Sequence, residues 1–126
     1  MVAKIFSACV IGIDACEVTV EMDTSGGLPG INIIGLPDPS VRESRDRIKD
    51  AIKNSDFSFP TRKITINLAP ADIKKEGASF DLPIALSVLL SEGVLETEDL
   101  RDYMFCGELS LDGRLKPIKG ALPIAM

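Results

Sequence analysis

The chain has 126 residues, 45% hydrophobic and 26% charged, enough for one domain with a real core and too few for two. Its net charge of −5 opposes nucleic-acid binding by the whole surface and leaves only a local basic patch for that role. The absence of histidine excludes imidazole zinc sites and Ser-His or Cys-His catalysis, and Cys9, Cys16 and Cys106 have no CxxC spacing. No apolar run reaches the roughly 20 residues of a membrane span, and Gly12 and Asp14 interrupt the N-terminal stretch too early for a signal peptide. A cytoplasmic, reduced domain is expected.

Residues 2–11 read as a first strand, rich in β-branched side chains. Residues 16–22 alternate, with Cys16, Val18, Val20 and Met22 on one face and Glu17, Thr19 and Glu21 on the other, as in a half-buried antiparallel strand. After the loop Gly26-Gly27-Leu28-Pro29-Gly30, residues 31–36 form a third strand, so a three-stranded meander is expected. Asp38-Pro39 is a helix start, with Asp38 as cap and Pro39 at the first helical position. The helix runs to about residue 54 on a narrow stripe of Val41, Ile48, Ala51 and Ile52. Its remaining faces are locally basic and read as solvated, with pairs such as Glu43 with Arg47; the alternative is a contact face for a phosphate backbone or an acidic partner.

Phe57 and Phe59 are expected under the turn at Pro60. Lys63 to Leu68 alternates again, with Ile64, Ile66 and Leu68 inward. The loop Lys74-Lys75-Glu76-Gly77-Ala78-Ser79 then opens an apolar helix that ends at Glu92-Gly93. Ser79 stands where a helix cap would stand, and Asp81 follows where a negative charge favours the helix dipole. Residues 96–100 read as an exposed acidic turn or a single helical turn. Residues 103–110 and 114–118 read as a hairpin turned at Asp112-Gly113, and a last helix begins at residue 119 and stops inside itself, as in a piece of a longer protein. The order βββ-α-β-α-ββ-α gives an α+β domain, 1–126, with one mixed sheet and packed helices.

No P-loop is present, and the glycine-rich loop at 26–30 lacks the following lysine and helix of a phosphate cradle. The remaining chemistry is a serine activated by lysine, which needs no histidine. The run Lys74 to Ser79 before an apolar helix resembles the nucleophile loop of the Lon peptidase domain, and Phe105 to Ile118 resembles that family's later hairpin. In that register Ile124 falls on the catalytic lysine and Leu122 on a second lysine, and neither side chain is a base. The resemblance therefore implies a remnant of a Lon-type nucleophile position at Ser79, with a Ser-Lys peptidase as the alternative.

A longer resemblance covers the whole chain. The stretches GLPGINIIGLPDPSVRESRDRI and RKITINLAPADIKKEGASFDLPIAL are similar to the N-terminal domain of the magnesium-chelatase-like AAA+ ATPase family, the ComM/YifB group. This implies a Lon-like fold, of the type also found in ribosomal-protein second domains, without peptidase activity. It also implies a following AAA+ module that carries ATP and magnesium, a homohexameric ring, and a DNA-acting, branch-migration helicase role in competence. This chain itself is then expected to hold no cofactor and no metal. A chelatase-type metal protein is opposed by the lack of histidine and of clustered ligands. Its partners would be its own ATPase module, neighbouring subunits and DNA, with Arg42, Arg45, Lys49, Arg62, Lys63, Lys74 and Lys75 as contact candidates.

Overall fold

The computed structural model describes residues 2–11, 14–35, 37–71, 73, 75, 79–96 and 100–116. Strands β1 (Ala3–Ile11) and β2 (Asp14–Ser25) form a long hairpin, antiparallel throughout, with Cys9 opposite Cys16. Then come β3 (Gly30–Ile34), helices α1 (Pro39–Arg42) and α2 (Ser44–Asn54), and β4 (Lys63–Ala69). Helix α3 (Asp81–Ser91) precedes a short hairpin of β5 (Glu108–Leu109) and β6 (Leu115–Lys116).

The architecture is the expected α+β arrangement with one mixed four-stranded sheet, in the order β1-β2-β4-β3. The expected meander is not formed. β4 inserts between β2 and β3, antiparallel to the first and parallel to the second. The cause is the connection: β3 returns to β4 through two helices, and a crossover of that length delivers a parallel strand.

The inward faces are those read from alternation. Val18, Val20 and Met22 of β2 and Ile64, Ile66 and Leu68 of β4 are fully buried, with Ile5 of β1 and Ile33 of β3 beside them. Val41, Ile48, Ala51 and Ile52 close this layer from α1 and α2, and Phe80, Ile84 and Val88 close it from α3. The outward face is polar: Glu21 accepts from Asn67 Nδ2 at 3.2 Å, and Asp23 lies exposed beyond it. Phe59 packs against the core, but Phe57 is exposed, so only half of the expected aromatic contact under Pro60 exists. Among the described residues no helix is long and apolar enough to cross a membrane.

Four local features position the rest. Asp38 caps α1, accepting from Val41 N–H at 2.8 Å, with Pro39 at the first helical position as expected. The expected single helix is broken at Glu43 into α1 and α2. Gly35 has φ +102°, and a Cβ there would lie 2.2 Å from the Leu68 carbonyl oxygen, so only glycine lets the chain leave β3 so close to β4. The hairpin has its turn at Gly113, with φ +89°, and its first strand is only Glu108–Leu109, shorter than the expected 103–110. The final helix expected from residue 119 lies outside the described residues.

Candidate functional site

The N-terminus of α3 is where the sequence places its most chemical residue, and hydrogen bonds converge there. Asp81, the first residue of α3, is fully buried. Arg47 grips it with two nitrogens, Nε to Oδ2 at 2.8 Å and Nη2 to Oδ1 at 3.1 Å. The Ser44 hydroxyl also donates to Oδ1, and the Leu109 N–H donates to Oδ2 at 3.1 Å. One carboxylate thus joins α2, α3 and β5. A buried charge is tolerated only when paired and hydrogen-bonded to this degree. The hydrogen bond to Asp81 raises the Arg47 pKa, so the guanidinium stays charged. Gly107 fastens the same place through its backbone: its N–H donates to the Ser79 carbonyl at 2.8 Å and its carbonyl accepts from Leu82 N–H at 3.0 Å.

Sequence reading missed this latch. Arg47 does meet Glu43, at 3.6 Å, but that exposed pair is secondary to the buried one. The signal lay in spacing: Ser44 falls three after Val41 and four before Ile48, inside the apolar stripe, and Arg47 follows it by one turn. A polar residue in a buried stripe needs a partner, and Asp81 supplies it.

Ser79 is not a helix cap. It lies in a turn, half-buried; Phe80 holds the cap position and makes no side-chain cap bond. Asp81 takes the first helical position because the latch fixes it there, one residue beyond where a serine cap would reach. Among the described residues no hydrogen bond reaches the Ser79 hydroxyl. Lys75 is fully buried, its Nζ donating to the Pro70 carbonyl and its own carbonyl accepting from Asp38 N–H at 3.0 Å, so it is not a surface contact residue. Lys74 and Ile124 lie outside the described residues. Burial, and Cys16 beside it, raise the Cys9 pKa; burial alone raises that of Cys106, which keeps both thiols protonated at neutral pH.

The other basic candidates are exposed and fall into two groups. Arg42 and Arg45 come together on a cleft of about 480 Å³, lined also by Asn32, Ile33, Ile34, Gly35 and Pro37. Arg62 and Lys63 lie at the opposite end of β3, where Lys63 pairs with Gly30. Lys49 is exposed on α2 and does not line the cleft.

Residues 20–126 match the family described as ChlI, subunit ChlI of Mg-chelatase. The chain is 45% identical over 123 residues to the uncharacterized protein YifB of Salmonella typhimurium, covering 98% of this chain and 24% of that protein. It is 41% identical over 121 residues to the competence protein ComM of Haemophilus influenzae, covering 96% and 24%. With Rv2897c of Mycobacterium tuberculosis, also uncharacterized, it shares 40% over 123 residues, again 98% and 24%. The chain therefore spans about a quarter of the length of these relatives. Conserved identity at this level over nearly the whole chain leaves one assignment: it belongs to the magnesium-chelatase-like ChlI family, in its ComM/YifB group.

Proposed function

We propose that the chain is a non-catalytic, Lon-like accessory domain of an AAA+ ATPase that assembles as a homohexameric ring and acts on DNA, in the manner of a branch-migration helicase. The observation that carries the non-catalytic part is how the loop before α3 is used. A Ser-Lys peptidase needs a neutral lysine amine directed at the serine hydroxyl. Here the Lys75 Nζ is turned onto the Pro70 backbone carbonyl, and the backbone around Ser79 is fastened to Gly107. The kinship to ComM, a competence protein, supports the DNA-acting ring. ATP and magnesium belong to the ATPase module, and the domain's own contribution is protein contact within the assembly. The outward sheet face, carrying Glu17, Glu21 and Asp23, favours that over a DNA groove.

Two measurements test this reading. Ser79→Ala leaves stability within about 0.5 kcal/mol, because the hydroxyl caps nothing; a loss near 1 kcal/mol would restore the cap. The same variant leaves any hydrolysis of unfolded casein by the full-length protein unchanged, whereas its abolition would make Ser79 a nucleophile. In parallel, a titration of this chain with labelled single- and double-stranded DNA gives no salt-sensitive binding. A steep salt slope, reduced in an Arg42/Arg45/Lys49 triple alanine variant, would place DNA contact in this domain.

A further inference from the structure

The sheet has two edges, and they are treated differently. On β1, the Phe6 carbonyl accepts from Phe105 N–H at 2.8 Å, and Phe6 forms a bridge with Met104, so that edge is partly covered. On β3, the other end of the sheet, no strand pairs with the outer edge among the described residues. Alternate residues of such a strand point both N–H and C=O outward. Natural edges are blunted by charge, proline or bulges, yet β3 reads Gly-Ile-Asn-Ile-Ile and has none of them.

We propose that the outer edge of β3, with the cleft at Arg42 and Arg45, docks an extended acidic peptide segment of a partner protein by strand addition. The charge placement selects the ligand. Two exposed guanidiniums rim the cleft at the C-terminal end of β3, and Arg62 and Lys63 flank its N-terminal end. Five residues of strand span about 15 Å, so a paired segment of that length reaches both basic ends with its own carboxylates. Ile33, Ile34 and Pro37 give the cleft an apolar side for one side chain of the incoming strand. Arg45 Nε is held on the Arg42 carbonyl at 3.1 Å, which fixes the guanidinium at the rim.

Two other occupants fit less well. A DNA backbone offers phosphate acceptors to the edge N–H groups but no donors for the edge carbonyls, and Glu21 and Asp23 lie two strands away on the outward face. A second copy pairing β3 to β3 places basic residues on basic residues, parallel or antiparallel, and like charges at an interface oppose association. This surface goes beyond the accessory role proposed above, because it names what that role would grip.

The test uses the full-length protein and a fluorescein-labelled ten-residue peptide alternating glutamate and valine, read by anisotropy. The comparators are the same peptide with alternate amides N-methylated, a lysine-for-glutamate peptide, and a single-stranded DNA oligonucleotide as competitor. The expected result is saturable binding that the N-methylated and lysine peptides lose, and that Arg42→Glu/Arg45→Glu weakens by at least about tenfold. Both arginines are exposed, so the double variant should keep its melting temperature, and the N-methylated peptide tests strand pairing on the unaltered protein in any case. The proposal is overturned if the acidic peptide does not bind, if N-methylation has no effect, or if the double variant binds equally. Displacement of the peptide by DNA at comparable concentration would reassign the surface to nucleic acid. Self-association abolished by the double variant would reassign it to a second copy.

Discussion

Asp81→Ala should cost about 3–5 kcal/mol of stability, the range for removing one partner of a buried ion pair. At this chain length that lowers the melting temperature by roughly 10–20 °C. The loss is large because one carboxylate satisfies four donors: Arg47 twice, Ser44 and the Leu109 N–H. Without it the buried Leu109 N–H loses its acceptor, and the Arg47 guanidinium keeps only the Ser40 carbonyl, the Ser44 hydroxyl and the exposed Glu43. Asp81→Asn keeps the shape and one acceptor but loses the charge, and should fall between wild type and alanine. An Asp81→Leu/Arg47→Met double variant should recover much of the loss, since matched apolar replacement of a buried pair is often neutral. Thermal denaturation of the four proteins checks the series. If Asp81→Ala melts within about 3 °C of wild type, the carboxylate does not hold α2, α3 and β5 together.

Gly35→Ala should be the second most damaging change, at about 2–4 kcal/mol. A non-glycine residue held in such a conformation costs of order 1–3 kcal/mol in backbone strain alone, and the overlap with a backbone oxygen adds to it. The approach is to the Leu68 carbonyl at 2.2 Å, which cannot move without parting β3 from β4. Gly93→Ala is the internal control. Gly93 also has positive φ, +78°, but a Cβ there meets nothing within 4 Å, so only the backbone strain remains. Urea unfolding of both variants separates the two contributions. Equal losses at the two positions would show that the close approach of β3 to β4 is not what requires glycine. Because Gly35 borders the cleft at Arg42 and Arg45, its replacement should also disturb that surface.

Much of the fold was legible because it is local. Alternation in β2 and β4 fixed which side chains point inward, since a strand's side-chain period of two admits a single buried face. The stripe Val41, Ile48, Ala51 and Ile52 did the same for the helices, and Asp38-Pro39 marked where α1 starts through bonds made within one turn. Family membership was likewise carried by continuous stretches of residues.

What depended on distant parts of the chain was not legible. The place of β4 between β2 and β3 follows from a helical crossover, and alternation has no term for strand order. Ser79 looked like a cap because cap geometry is local, but the true start of α3 is set by Asp81, whose partners lie 34 and 37 residues back and 28 ahead. Arg47 looked solvated because its neighbours on the helix are charged; its partner comes from another element. Arg42 and Arg45 were visible only as two of seven basic contact candidates; their position beside a strand edge that is unpaired among the described residues exists only once β3 and the helices have packed. Sequence by itself determined the faces, the turns and the kinship of this protein. Tertiary structure decided the order of the strands, the latch at α3 and the cleft, because those rest on pairings between segments that no local pattern encodes.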